Sequence, residues 1–193
     1  MNKQPILDLL QDYKTSFSEE IEFRKQMIDF LEQNDDFALR SNLTGQLTGS
    51  AWVVNKEHTK VLLIHHKKLN KWLQIGGHIE NSDQTIEETI LREIKEESGL
   101  KNLKLLSSSI YDIDIHTIPQ KREIAEHLHF DIRLIIEVDE NEKLTPQNKE
   151  ILAIKWCSKN EVQDLAESTI SINQSMKRMV DKMKNYTVSH SKE

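Results

Sequence analysis

Apolar residues recur at two different periods along this chain, and the change between them marks its organisation. Ile6, Leu9, Leu10 and Tyr13 fall on one face at helical spacing, and Ile21, Met27, Ile28 and Leu31 do so again. Ser16 and Glu19 have capping-box spacing, so the second helix is expected to begin at Ser16 or Ser18 and to run to about Asn34. Together they predict a helical hairpin over residues 4–34, packed on the main domain or on a second copy of the chain in a homodimer. From Ser50 short apolar runs take over: AWVV, KVLLI and WLQI, separated by polar turns, which predict strands. Further strands are expected near 103–107, 110–116, 127–137 and 151–157. Beyond them Ile172, Met176, Met179, Val180 and Met183 form a helical stripe that stops before a polar, frayed terminus at 187–193. Strands around a central helix, with helices at both ends, predict an α/β fold with a mixed sheet. The expected division is an N-terminal helical extension at 1–40, a main domain at 41–168, and a C-terminal helix with its tail at 169–193.

The central helix carries the chemistry. In GGHIENSDQTIEETILREIKEESGL, residues 76–100, Thr85 and Glu88 form a capping box that starts a helix at about Ile86. Gly99 stands where a helix end favours a left-handed residue. At about 100° per residue, Ile86, Ile90 and Ile94 make the apolar stripe. Glu93, Glu96 and Glu97 share a narrow arc, with Glu97 between Ile86 and Ile90 in angle. Carboxylates three and four residues apart repel one another, and these lean towards the face that should be packed. A solvated acidic face would explain a generic E-x-x-E-E string. The paired glycines in front and the placement within the apolar stripe favour a cation instead. Hard oxygen donors without cysteine or histidine point to Mg²⁺, with Mn²⁺ as a substitute, rather than zinc.

Charge and composition narrow the setting. The net charge of −6 offers no broad footprint for nucleic acid. A polyanionic ligand would need a positive mediator, which a bound divalent ion supplies. Apolar residues are 37% and charged residues 30% of the 193, a globular composition. No run approaches the roughly 18 apolar residues of a membrane helix, and the first residues lack the pattern of a signal peptide. With Cys157 alone, no intramolecular disulfide can form. A cytoplasmic protein without membrane partners is expected.

REIKEESGL, Arg92 to Leu100, resembles the second half of the Nudix box, R-E-U-x-E-E-x-G-U with U aliphatic, at every defined position, and Gly76-Gly77 resembles its glycine opening. LTGSAWVV, LLIHHKKLNKWLQIGGHI, DIDIH and HLHFD are similar to strings of one Nudix subgroup. The resemblance implies the Nudix α/β/α sandwich around a mixed β-sheet, with the helical hairpin and C-terminal helix appended. It implies hydrolysis of a diphosphate bond in a nucleoside diphosphate linked to another moiety, such as a nucleotide sugar or a dinucleotide. Glu93, Glu96 and Glu97 would be metal ligands, joined by the Gly76 carbonyl, and Arg92 would orient them. The general base is open among Glu93, Glu123 and Glu126. The family places a glutamate six residues after the second glycine, here Gly77, and eight before the arginine. Asp83 meets the first spacing and Gln84 the second, because the loop is one residue longer. Asp83 is the expected stand-in. A small-molecule nucleotide is the expected partner, and a non-hydrolytic, nucleotide-sugar-binding regulator on the same fold is the alternative.

Two later strands stand out. Asp112, Asp114 and His116 alternate with apolar residues, as do His127, His129, Asp131 and Arg133. Period-two alternation puts each set on one strand face, and aspartate is uncommon in strands. If the strands are neighbours the faces merge. The merged face would bind substrate through His127, His129, Asp131, Asp114 and His116, hold a transition metal, or be ordinary solvated surface. Trp72 would stack on a nucleobase or pack at the rim. Lys67, Lys68 and Lys71 would touch phosphate or form a solvated turn.

Overall fold

Thr85 opens the central helix as its spacing predicts. In the computed structural model its Oγ1 accepts the Glu88 N–H at 3.1 Å, and this helix spans Ile86–Ser98. The Glu88 carboxylate reaches one residue further back than a reciprocal box, taking the Gln84 N–H at 2.7 Å. Gly99, at φ 78°, closes the helix in the left-handed region.

The structure describes residues 1–120, 124–167 and 173–190, without the side chains of 166, 167, 173, 174 and 185–190. In chain order the elements are α1 (Gln4–Asp12), α2 (Ser18–Gln33), β1 (Gly45–Asn55), β2 (Lys60–His66), β3 (Lys71–Leu73) and β4 (Ile75–His78). Then follow α3 (Ile86–Ser98), β5 (Lys104–Leu105), β6 (Asp112–Ile118), β7 (His127–Val138), β8 (Ile151–Ser158), α4 (Lys159–Glu167) and α5 (Asn173–His190). The strands are hydrogen-bonded in the order β3-β2-β1-β7-β5, with β4 on β1, β6 on β7 and β8 on β2. This is the expected α/β/α arrangement around a mixed sheet. Strands β1 and β7 and helix α3 each begin in one compact unit of the chain and end in another.

The first unit comprises residues 1–51, 76–93 and 107–134. In it β6 and β7 pair antiparallel, with Asp112 opposite Arg133, Asp114 opposite Asp131 and His116 opposite His129. The helical hairpin sits on these strands of its own chain. Phe30 stacks on Phe130 at 4.1 Å, and the fully buried Glu20 accepts the Tyr13 hydroxyl at 2.7 Å and the Ile113 N–H at 3.2 Å. A buried carboxylate has to be satisfied this way, and these bonds tie both helices to β6.

The second unit comprises 52–75, 94–106 and 135–193. Its centre is β2, whose Val61, Leu62, Leu63 and Ile64 are all buried because β3 and β8 flank it. Cys157, opposite Val61, is fully buried, and burial raises its thiol pKa. Helices α4 and α5 pack on each other, and α4 also meets β2 and β8.

Several expectations give way. The Ser16–Glu19 box does not form: α2 starts at Ser18 with Phe17 at its cap and no side-chain cap bond. Thr15 takes the Phe17 N–H instead, at 3.1 Å. Strand β1 begins at Gly45, not Ser50, because Gln46, Thr48 and Ser50 alternate inward as buried polar residues that read as loop. WLQI divides at Gln74 into the ends of β3 and β4. Helix α4 was not expected. Helix α5 runs on to His190, past the expected fraying at 187. Ile172 and Glu123 lie outside the described residues.

Candidate active site

Strand β4 delivers the two glycines, and neighbouring atoms crowd the place a Cβ would take on each: backbone at Gly76, the Glu93 carboxylate at Gly77. A Cβ on Gly76 would stand 2.7 Å from the Gly49 carbonyl oxygen, and one on Gly77 would stand 2.6 Å from the Glu93 carboxyl carbon. Real Cβ atoms do not come so close to either. The Glu93 carboxylate therefore lies directly against the strand backbone. Gly77→Ala is expected to displace that carboxylate by an ångström or so and to lower kcat about a hundredfold, with little change in melting temperature. Steady-state kinetics beside thermal melts check this, and wild-type kcat would show that the close approach is dispensable.

Arg92 gathers the loop and the helix at one point. Its Nη1 donates to Glu93 Oε1 at 2.8 Å, and its Nη2 to the His78 carbonyl at 2.8 Å and Asp83 Oδ2 at 2.9 Å. Its Nε donates to Asp83 Oδ1 at 3.1 Å. Asp83, buried, also accepts from Thr89 Oγ1 at 3.0 Å and from the Glu80 N–H at 2.9 Å. Burial works against its charge, yet bonds from Arg92, the Glu80 backbone and Thr89 hold its pKa below the usual value. Burial likewise disfavours the Arg92 cation, but the bonds to Asp83 and Glu93 raise its pKa. Of the two positions offered by the longer loop, Asp83 is the one that reaches Arg92. Gln84 is exposed.

Glu93 and Glu97 stand one turn apart on α3, at 9% and 4% exposure, and Glu96 is half-buried. Two carboxylates held this close to dryness on one helix are costly, a cost that Arg92 offsets in part at Glu93 and that a bound cation would offset further. Among the described residues no three His, Cys, Asp or Glu side chains already converge on one point fit for a metal. Mg²⁺ does not need them to, because it takes one or two carboxylates and fills its other positions with water and phosphate oxygens. The oxygen-only donors and the backbone cradle at Gly77 fit that ion.

The polar faces of β6 and β7 do merge, and the result is a buried network. Arg133, 2% exposed, donates Nε to Asp131 Oδ2 at 2.7 Å, Nη1 to Asp112 Oδ1 at 3.0 Å and Nη2 to Asp114 Oδ2 at 3.1 Å. Burial opposes its charge, and the three carboxylates more than compensate, raising its pKa. The hydroxyls of Thr48 and Ser50 donate to Asp131 Oδ1 at 3.0 and 2.8 Å. Asp131 and Asp114, expected at the substrate, hold Arg133, because the strand register sets them around a guanidinium that must be neutralised. The solvated-surface reading of this face is likewise corrected.

The histidines occupy the other end of the same face. His129 has the rings of His78, His116 and His127 around it, with centroids 4.8, 5.4 and 5.3 Å away. Burial, then His78, His116, His127 and Arg40, pushes the His129 pKa down to about 2. Burial, with Arg40 and His127, lowers that of His78 to about 4. Both are neutral imidazoles at pH 7.

Trp72 belongs to the second unit, where its ring lies against His65 at 5.1 Å and beneath Lys155 Nζ at 4.9 Å. Lys68 pairs with Glu150, Lys67 is exposed and Lys71 half-exposed. Glu126 is exposed just before β7. The sequence reading missed Gln46, Thr48, Ser50 and His78 as part of this face. Period-two alternation in GQLTGSA, with polar residues at 46, 48 and 50, was the available signal.

Comparison with known proteins agrees with this geometry. The NUDIX domain family matches residues 46–180. Over 137 residues the chain is 26% identical to a probable DHNTP pyrophosphohydrolase of Lactococcus lactis subsp. cremoris, covering 70% of this chain and 81% of that protein. It is 31% identical over 120 residues to an m7GpppN-mRNA hydrolase of Xenopus laevis, covering 56% of this chain but only 40% of that protein. A hydrolase of the NUDIX family from Clostridium perfringens is similar in structure, at 27% identity and a TM-score of 0.50, covering 75% of this chain and 99% of that one.

Proposed function

The chain belongs to the NUDIX domain family and is a Nudix hydrolase, and from that premise we propose a Mg²⁺-dependent pyrophosphohydrolase of a nucleoside diphosphate linked to another moiety, of the nucleotide-sugar or dinucleotide kind. The observation that carries this reading is the pair of buried carboxylates, Glu93 and Glu97, one turn apart on α3, with Glu93 lying against the backbone of Gly77. Glu93, Glu97 and Glu96 supply carboxylate oxygens and Gly76 its carbonyl. When bound, the divalent ion supplies Lewis acidity towards the phosphate oxygens and an acidified water. Arg92 keeps Glu93 turned towards β4 through Nη1, and Asp83 keeps Arg92 from swinging away. The base that takes the proton from the attacking water is Glu93, with Glu126 and Glu123 as the alternatives outside the box. The relatives named for DHNTP and for m7GpppN-mRNA differ in what their phosphates carry. They support the class of bond cleaved and not the attached group. Among the described residues no helix is long and apolar enough to cross a membrane.

Turnover of nucleotide sugars, dinucleotides and nucleoside triphosphates is expected in Mg²⁺ or Mn²⁺, and to vanish with EDTA. Undiminished turnover in metal-free buffer would sink the reading. Tight binding of a nucleotide sugar without any hydrolysis in Mg²⁺ would favour a regulator instead.

A further inference from the structure

Three of the clustered histidines have one ring nitrogen committed to an oxygen acceptor. His78 Nε2 stands 2.9 Å from Gln46 Oε1. The amide of Gln46 is oriented by its Nε2 donating to the Arg40 carbonyl at 3.0 Å, so Oε1 accepts and His78 Nε2 carries the proton. His127 Nδ1 lies 2.9 Å from the Ala125 carbonyl oxygen, and His116 Nδ1 lies 3.3 Å from Asp114 Oδ2. Each of these nitrogens is therefore N–H, and in the neutral ring the other nitrogen is a lone-pair acceptor. That leaves His78 Nδ1, His116 Nε2 and His127 Nε2 as the ring nitrogens not committed in this way. At the centre, His129 Nε2 is buried with no hydrogen-bond partner, a state that costs free energy unless something supplies one.

A set of imidazole lone pairs suits either a metal or a ligand carrying several donors. Lone pairs that meet at one point suit the metal. Among the described residues no three such side chains converge in that way. Spread acceptors suit separate N–H or O–H groups of one molecule. Nor is the cluster built for phosphate, since its central ring is neutral at pH 7 and the carboxylates of Asp114 and Asp131 lie beside it on the same face. It adjoins the catalytic strand, because the backbone carbonyl of His78 is the one that Arg92 holds. The side chain of His116 is 40% exposed, which leaves a way in.

We propose that His78, His116, His127 and His129 form a recognition site for an uncharged group rich in N–H or O–H donors, either the base edge or the sugar hydroxyls of the substrate. This inference rests on the reading of the chain as a hydrolase of nucleotide derivatives. The site chooses the substrate, and the α3 glutamates cleave it.

Two matched pairs test the inference and separate the sources of the donors. GDP and IDP differ by one amino group on the base, and UDP-glucose and UDP differ by the sugar. Calorimetric titration of the full chain in Ca²⁺, a hard cation able to bridge phosphates, should show the donor-bearing member of one pair binding about tenfold tighter or better. Discrimination within the first pair identifies the base, and within the second the sugar. The preference should collapse in His129→Leu and in His116→Leu, the latter a part-exposed position where folding is not at stake. Meanwhile kcat on any accepted substrate should change far less than KM. Equal binding within both pairs, or none, overturns the proposal. So does a preference that survives both substitutions, or about one zinc, nickel or iron per chain in untagged protein that the same substitutions remove. The hydrolase reading fails separately, through metal-independent turnover.

Discussion

Glu97→Gln is expected to lower kcat by about three orders of magnitude while the protein still folds. The substitution keeps the side chain's shape and removes its charge. Glu97 lies within the apolar stripe of α3 at 4% exposure, so an amide there costs no more desolvation than a carboxylate. The isosteric amide also relieves the repulsion from Glu93 one turn away, so the fold should be kept. Catalysis should not hold. Charge stabilisation at the phosphate oxygens by a bound divalent ion is worth several kcal/mol, and about 1.4 kcal/mol is a factor of ten in rate. The concentration of Mg²⁺ that gives half-maximal rate should rise as well. Kinetics across a Mg²⁺ series and a melting curve together decide the matter. Near-normal turnover with an unchanged Mg²⁺ requirement would remove Glu97 from the ligand set.

The largest effect on stability is expected at Arg133. Arg133→Leu fills most of the same space but leaves Asp112, Asp114 and Asp131 around an apolar side chain. Breaking a buried pair by removing one partner costs about 3–5 kcal/mol, here a loss of about 6–20 °C in melting temperature for a chain of this size. The loss should depend on pH in a defined direction. Carboxylates deprived of their cation in a dry setting hold protons more tightly than in the unfolded chain. Their burden on the folded state is therefore greatest at neutral pH and shrinks as the pH falls towards about 4, near the unfolded aspartate value. Wild type should show no such recovery. A variant that melts like wild type at pH 7, or one whose deficit grows on acidification, would mean that the network does not carry charge in the way its geometry indicates.

Helix α3 was legible in the chain to the residue. Its cap, its isoleucine stripe, its glycine stop and the angular placement of its glutamates are all local, and local rules suffice where neighbours in space are neighbours in sequence. The β6 and β7 faces were legible as alternation, since a strand displays its period whatever it pairs with. Their meaning was not. Whether Asp114 and Asp131 met substrate, solvent or each other depended on the register between two strands, and Ile118 opposite His127 settles that register through hydrogen bonds that no single strand contains. The loop that carries Asp83 shows the same limit. Counting forward from Gly77 and back from Arg92 named two different residues, and only the fold of the loop brings Asp83 under the guanidinium while Gln84 is left exposed, its N–H donating to the Glu88 carboxylate.

By itself, then, the sequence determined the family, the central helix with its cluster of glutamates and the class of bond attacked, because a helix writes its chemistry at fixed intervals along the chain. The tertiary structure alone decided which polar residues of the sheet ring a buried cation and which cluster as imidazoles. Gln46, Thr48 and Ser50 come from one strand, His78 from another and Asp131 from a third. Separations of about twenty to eighty residues carry no periodic signal, and only pairing in space surrounds Arg133 with Asp112 and Asp114 and leaves the His129 Nε2 atom buried without a partner.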